Sequence, residues 1–124
     1  MIYRRIAILT DSNSTWIYPY LLELKNKLLI LLKEAQIDLV FHHDRLNKYD
    51  LVFALSYSKI IPDKIIKKNN EILVVHESDL PYGKGFAPIT YDVLDGNDTI
   101  YFCLISIKSN EPVDSGELIF KEKV

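Results

Sequence analysis

The chain has 124 residues and a formal net charge of −2, a size that fits one domain with a modest hydrophobic core. The negative charge disfavours a protein that lives on nucleic-acid backbones, because counterion release needs a surplus of Lys and Arg. Cys103 is the single cysteine, so an internal disulfide is excluded and a reducing compartment is favoured. We see no secretory signal and no apolar run long enough to span a bilayer. We therefore expect a cytoplasmic, soluble protein with a single domain over residues 1–124.

The first part of the chain predicts a strand, a polar loop and a helix. Residues 5–10 form a short apolar run, and a polar cluster follows at 11–15. Apolar residues then recur at helical spacing from about residue 16 to residue 36. Pro19 is tolerated only in the first helical turn, so we expect the helix to begin close to Ile17.

The middle of the chain predicts more strands of a parallel sheet. Three apolar runs predict strands, and a short segment predicts a helical turn: 37–42, 50–57 and 71–75, with the turn at 63–68. The runs are nearly continuous in apolar character, which is typical of strands covered on both faces. Strands that alternate with helical segments indicate βαβ units.

The last third of the chain differs in composition because it holds all four glycines. We predict a short helix at 88–94 that ends at Asp95-Gly96, a strong strand at 99–107, a polar loop at 109–116 and a last strand at 117–121. Cys103 lies in the strong strand, where we expect it to be a small buried hydrophobic residue.

Polar residues follow three of the predicted strands, at 11–15, 56–58 and 76–79. In an open parallel sheet, ligands bind beyond the carboxyl ends of the strands. This placement alone predicts a ligand-binding α/β domain without naming the ligand.

Three segments together, HESDLPYGKGFAP, ITYDVLDGNDTI and EPVDSGELI, resemble a known family. They are similar to the N10-formyltetrahydrofolate-dependent formyltransferases, which include methionyl-tRNA, glycinamide ribonucleotide and sugar N-formyltransferases. The residues that match the family signature are His76, Ser78, Leu80, Pro81, Gly83, Gly85, Pro88, Gly96, Asp114 and Gly116. The Ser-Asp-Leu-Pro and Gly-Lys-Gly segments are most similar to formyltransferase-like proteins of surface-sugar biosynthesis.

The resemblance implies a fold and a chemistry. The fold is α/β, a Rossmann-like three-layer formyltransferase fold with a mostly parallel twisted sheet and an antiparallel C-terminal portion. The donor is N10-formyltetrahydrofolate, and the acceptor is the amine of a small molecule, an amino sugar that is often nucleotide-linked. His76 polarises the formyl oxygen, and Asp114 orients the imidazole and manages protons. The residues implied to shape the folate pocket are Tyr57, Ile60, Ile61, Pro62, Leu80, Pro81, Gly83 and Gly85.

The chain departs from the family pattern in two respects. Val74 stands where the family has an asparagine that donates to the oxyanion, and losing one such donor typically costs about 100- to 1000-fold in turnover. Ser78, Asn70 and Ser56 are candidate substitutes. The chain is also short for the family, which leaves open a minimal version, a fragment, or a homodimer that completes the core.

Two other hypotheses stay open beside the enzyme. The chain is alternatively a catalytically degenerate binding or subunit-interaction module on the same fold, which Val74 and the short C-terminus favour. A third reading is a generic Rossmann-like domain that binds a small molecule and no folate. A tRNA acceptor is disfavoured by the net charge and by the lack of a C-terminal domain.

Two charged clusters have simpler interpretations than a site. His42-His43-Asp44 suggests metal, but adjacent residues on a strand point to opposite faces, so we expect a solvated strand end and no metal. Four lysines form a basic cluster that could attract a phosphate or the glutamate tail of the folate: Lys59, Lys64, Lys67 and Lys68. A solvated helix face explains them better. We expect no nucleic-acid and no membrane partner.

Overall fold

The structure is a computed structural model, and it describes residues 3–13, 17–76, 101–107 and 117–123. The helices and strands in these ranges are β1 (Arg5–Leu9), α1 (Tyr18–Leu31), β2 (Gln36–Val40), a 3₁₀ helix (His43–Arg45), β3 (Leu51–Ala54), α2 (Asp63–Ile66), β4 (Ile72–His76), β5 (Tyr101–Ser106) and β6 (Glu117–Lys123). The predicted helix at 88–94 and the predicted polar loop at 109–116 lie outside the described residues.

The strands form one six-stranded sheet in the order β2-β1-β3-β4-β5-β6. The neighbours β2-β1, β1-β3 and β3-β4 pair in parallel, whereas β4-β5 and β5-β6 pair antiparallel. The predicted fold class, a mostly parallel sheet with an antiparallel C-terminal portion, is confirmed. The chain passes from β2 across β1 to β3, so the strand order reverses between β1 and β3. In sheets of this kind, that reversal marks the crevice where ligands bind.

The two helices cover opposite faces of the sheet, because side chains alternate along each strand. Ile6 and Ile8 of β1 pack in one apolar cluster with Leu21 of α1. Ala7 and Leu9, which alternate with them, pack in a second cluster with residues of α2. Helix, sheet and helix therefore form the three expected layers. Cys103 in β5 is 1% exposed, which confirms the prediction that it is buried.

Helix α1 begins where the sequence predicts and ends earlier. Ile17 is its N-cap and Pro19 lies in the first turn, as expected. The helix ends at Leu31 rather than near residue 36, because the backbone N–H of Ala35 donates to the carbonyl of Leu32 in a tight turn. That turn brings Gln36 beside Arg5, where β2 begins.

Strands β2 and β3 are both shorter than predicted, for local reasons. After Val40 the chain turns into the 3₁₀ helix, and His42 caps this helix by accepting the backbone N–H of Asp44 at its Nδ1. Strand β3 ends at Ala54 rather than at residue 57, because Ser56 has a φ of 54°. A left-handed residue cannot continue an extended strand.

Neither helix among the described residues is long and apolar enough to cross a membrane.

Candidate active site at the carboxyl ends of the strands

The carboxyl ends of β1 and β3 lie side by side and are joined by hydrogen bonds. The backbone N–H of Asp11 donates to the carbonyl of Ser56 at 3.3 Å, and the backbone N–H of Ser58 donates to Asp11 Oδ2 at 3.1 Å. Thr10, Asp11, Ser56 and Tyr57 are called the carboxyl edge below. The prediction that polar residues after the first and third strands meet at one end of the sheet is confirmed.

The carboxyl edge contains buried polar atoms without partners. Among the described residues, three buried side-chain oxygens make no hydrogen bond: Oγ1 of Thr10 and Oδ1 of Asp11 at the carboxyl edge, and Oγ of Ser106 in β5, opposite Leu73. Thr10 has no exposed surface at all. Leaving such an atom unpaired costs about 1–3 kcal/mol, so folds retain few of them. Two of these three oxygens lie at the point of strand reversal, where sheets of this kind bind ligands.

Tyr57 joins the carboxyl edge to the segment that follows β2. Its Oη accepts the backbone N–H of His43 at 3.0 Å and lies 2.7 Å from Nδ1 of the same residue. Burial is the largest cause that raises the pKa of the Tyr57 phenol, and the carboxylates of Asp11 and Asp44 raise it further. Burial also lowers the pKa of the His43 imidazole. The phenol is therefore neutral over the physiological range.

The structure does not place the four described residues of the predicted folate pocket on one surface. Ile61 is 8% exposed and packs in the core against α2, whereas Ile60 is 71% exposed. Pro62 is the N-cap of α2, and Tyr57 is half-buried beside His43. The other four predicted pocket residues lie outside the described residues: Leu80, Pro81, Gly83 and Gly85.

His76 is the last residue of β4, and its backbone pairs with Cys103 of β5. Val74 of β4 pairs with Ala54 of β3. His76 and Ser56 each follow this pair by two residues, so they lie at the same level along the strands. With neighbouring strands about 4.8 Å apart, the backbones of Asp11 and His76 are separated by two strand spacings, about 10 Å. The backbone of His76 therefore reaches the same end of the sheet as the carboxyl edge. Asp114, its predicted catalytic partner, lies outside the described residues.

Val74, which stands where the family has an asparagine, has apolar surroundings. Val74 is partly buried and packs against the core cluster on the α2 face. Of the proposed substitutes, Asn70 precedes β4 and donates from Nδ2 to the carbonyl of Asp50. It lies six residues before His76, about 20 Å along the strand, so its candidacy as an oxyanion donor is wrong. Ser56 lies on the carboxyl edge, and Ser78 is outside the described residues.

The expectation that His42 and His43 point to opposite faces is wrong. Strand β2 has already ended at Val40, and the 3₁₀ turn brings the two imidazole rings together with centroids 4.1 Å apart. The arrangement depends on His42, whose Nδ1 accepts the backbone N–H two residues later in the chain.

A groove of 760 Å³ also lies along the edge strand β2. Asp38, Phe41 and Tyr49 are among its lining residues. None of the described residues predicted for the folate pocket lines it, so we do not assign the groove to that pocket.

The parallel strands and the point of strand reversal define a Rossmann-like α/β protein, a fold in which ligands bind beyond the carboxyl ends of the strands. The model of the formyl transferase family matches residues 6–124, so the chain belongs to that family.

Relatives of known sequence and structure agree with this family. The chain is similar to methionyl-tRNA formyltransferase of Rickettsia bellii (strain RML369-C), with 31% identity over 74 residues. That match covers 59% of this chain and 24% of the relative, so the chain spans about a quarter of the curated relatives it matches.

The solved structures of methionyl-tRNA formyltransferase from Clostridium thermocellum and of the sugar 3N-formyltransferase WlaRD share the fold. The first has a TM-score of 0.79 at 20% identity and covers 98% of this chain and 53% of its own. The second was solved with dTDP and 5-N-formyl-THF and has a TM-score of 0.66 at 18% identity. Its match covers 98% of this chain and 52% of the WlaRD chain.

Proposed function

We propose that the chain transfers a formyl group from N10-formyltetrahydrofolate to the amine of a small acceptor, an amino sugar. The proposal rests on one observation: in a chain of the formyl transferase family, His76 ends β4 beside the carboxyl edge. The fold alone does not carry the function, because one fold hosts many activities.

In the proposal, two residues perform the transfer. The folate supplies a formyl group activated by its bond to N10, and that bond breaks as a new C–N bond to the acceptor amine forms. His76 donates a ring N–H to the formyl oxygen as negative charge develops there. Asp114 accepts the proton that the acceptor amine loses, directly or through water, and orients the imidazole.

The carboxyl edge supports the folate proposal through its unpaired oxygens. Oγ1 of Thr10 and Oδ1 of Asp11 are unpaired acceptors at the strand reversal. Ile60 offers an exposed apolar surface nearby in the chain, and Ile61 supports that segment from the core. We assign the rest of the pocket to Tyr57, which lies on the carboxyl edge, and to four residues of the motif segment: Leu80, Pro81, Gly83 and Gly85.

The acceptor is the least constrained part of the proposal. The fold is shared with an enzyme that formylates a sugar, and the net charge of −2 disfavours a tRNA. The curated relatives, however, are methionyl-tRNA formyltransferases. Parallel transfer assays with a nucleotide-linked amino sugar and with methionyl-tRNA decide between the two, and formylation of the tRNA alone would overturn the sugar assignment.

Calorimetric titration with 5-formyltetrahydrofolate, a stable folate, tests the donor. We expect saturable binding by the wild type, retained binding by Asp114→Ala, and turnover lowered about 100-fold or more in both His76→Ala and Asp114→Ala. No folate binding by the wild type would leave only a generic small-molecule domain.

A second candidate is a degenerate module that binds without transferring, and Val74 favours it because its side chain packs among apolar residues and donates nothing. Val74→Asn discriminates the two. First appearance of turnover in the variant supports a decayed enzyme. Measurable wild-type turnover that Val74→Asn leaves unchanged means that another group donates.

The remaining expectations stay predictions. These are a cytoplasmic location, a single domain over residues 1–124 and a homodimer that completes the core. Fractionation and the mass in solution by light scattering test the first and the third.

A further inference from the structure

The segment after β2 brings two imidazoles and one carboxylate together. Each of His42, His43 and Asp44 offers a ligand atom, and these three atoms all lie within 4.8 Å of one another. Nε2 of His43 is 3.7 Å from Oδ1 of Asp44. The other carboxylate oxygen is 3.5 Å from Nδ1 of His42. That Nδ1 accepts the backbone N–H of Asp44, so Nε2 is the ring nitrogen of His42 left for an ion.

His43 is held in an orientation that suits a ligand. Its Nδ1 lies 2.7 Å from Tyr57 Oη, which also accepts the backbone N–H of His43 at 3.0 Å. If Nδ1 carries the ring proton and donates it to the phenol oxygen, Nε2 is left with a free lone pair on the side of Asp44. Metal-ligating histidines are commonly fixed in this way by a partner on the other ring nitrogen.

The distances require only a small closure around an ion. Bonds of about 2.0–2.1 Å in tetrahedral geometry put ligand atoms about 3.3 Å apart. The His43–Asp44 distance is already close to this value. The Asp44 side chain is 69% exposed and free to rotate, whereas that of His43 is only 12% exposed and is fixed by Tyr57. An ion therefore has both an anchored ligand and an open path from solvent.

We propose that His42, His43 and Asp44 bind one divalent transition-metal ion, with the remaining coordination positions left to water. Two imidazoles and a carboxylate suit zinc, cobalt and nickel, whereas magnesium and calcium prefer sites made only of oxygens. This site reverses the expectation of no metal. Its three ligands are not among the residues proposed for formyl transfer, but Tyr57, which is assigned to the folate pocket, contacts His43.

The test is metal titration of the full chain made without a polyhistidine tag. We expect one equivalent of zinc in calorimetry, and with cobalt a visible absorption band from a protein-bound ion. Magnesium should not compete. Absence of saturable binding of zinc, cobalt and nickel by the wild type would overturn the proposal.

Three ligand variants and two further variants locate the site. His42→Asn keeps an acceptor to cap the 3₁₀ helix, and Asp44→Asn changes only an exposed side chain. These two variants and His43→Gln should each weaken zinc binding more than Tyr57→Phe does. Tyr57→Phe removes only a supporting oxygen and should lower the zinc affinity about 10- to 100-fold. His76→Gln is the matched control and should bind as the wild type does.

Two results would contradict this location. One is wild-type affinity in Asp44→Asn and His43→Gln, and the other is loss of binding in His76→Gln. Circular dichroism checks that each variant folds. If a histidine variant does not fold, the result for Asp44→Asn decides.

Discussion

The two ends of the parallel strands differ in the hydrogen bonds that their polar groups make. At the end where the strands begin, called the amino edge, five polar side chains are paired: Arg5, Tyr49, Asp50, Asn69 and Asn70. At the carboxyl edge, two buried oxygens lack a partner, and a third such oxygen, Oγ of Ser106, lies in β5 opposite Leu73. Each edge has one residue with a left-handed backbone, Ser56 at the carboxyl edge and Lys48 at the amino edge, so the edges differ in their hydrogen bonds and not in backbone strain.

The amino edge is built from contacts that cross the chain. Asp50 accepts the backbone N–H groups of Arg4 and Arg5 at 2.8 and 2.9 Å, and the Arg5 guanidinium lies 4.5 Å from the centre of the Tyr49 ring. Asn69 accepts the N–H of Tyr49 and donates to two carbonyls. These bonds join the starts of β1, β3 and β4. The amino edge therefore stabilises the fold, whereas the carboxyl edge is the place that we propose for the ligand.

The largest expected effect is that of Asn69→Ala. Asn69 is 9% exposed, and its loss leaves the Tyr49 N–H and two carbonyls without that partner. We expect the free energy of unfolding to fall by about 3 kcal/mol in chemical denaturation. The adjacent Asn70→Ala, at an exposed residue, is the matched control and should cost about 1 kcal/mol or less. Equal effects in the two variants would contradict a special role for the buried residue.

A smaller loss is expected from Tyr49→Phe. The Tyr49 hydroxyl donates to Oδ2 of Asp38 at 2.6 Å, and this bond is the largest cause that lowers the pKa of Asp38. Because the pair is partly exposed, we expect a loss of about 1 kcal/mol at neutral pH. Tyr20→Phe, at a residue that is 63% exposed, should change stability by less than about 0.5 kcal/mol. A Tyr49→Phe variant as stable as Tyr20→Phe would refute this contribution.

Thr10→Val tests the comparison at the carboxyl edge. It replaces a buried hydroxyl without a partner by a methyl group of similar size. We expect no loss and a gain of up to about 1 kcal/mol in the free energy of unfolding. A loss above about 1 kcal/mol would show that the hydroxyl is satisfied in the folded protein, and the carboxyl edge would then resemble the amino edge.

The smallest effect is expected from Asp50→Asn, and it depends on pH. The backbone N–H groups of Arg5 and Arg4 lower the pKa of Asp50. A lowered folded-state pKa means that the carboxylate stabilises the fold above the unfolded-state pKa, about 4, and loses this effect as the pH falls through the folded value. We expect the variant to melt below the wild type at pH 7 and at the same temperature once the pH is below both values. A difference in melting temperature that does not depend on pH would contradict the electrostatic cause.

Much of the fold could be predicted from the sequence because its signals are local. The apolar runs of β1 and β4, the helical spacing after Ile17 and the polar residues at strand ends are all visible within short windows. The amino edge was not predicted, because Asp50 binds residues 45 and 46 positions away and no spacing rule shows such pairs. The paired rings of His42 and His43 were missed because the strand was expected to continue past Val40.

The central claim is that the carboxyl edge binds a formyl folate, and amide chemical shifts test it most directly. On titration of the ¹⁵N-labelled chain with 5-formyltetrahydrofolate, we predict saturable shifts for the amides of Thr10, Asp11, Ser56 and Tyr57. The amides of the amino edge should stay unchanged. Shifts confined to the amino edge, or no shifts at millimolar folate, would contradict the account.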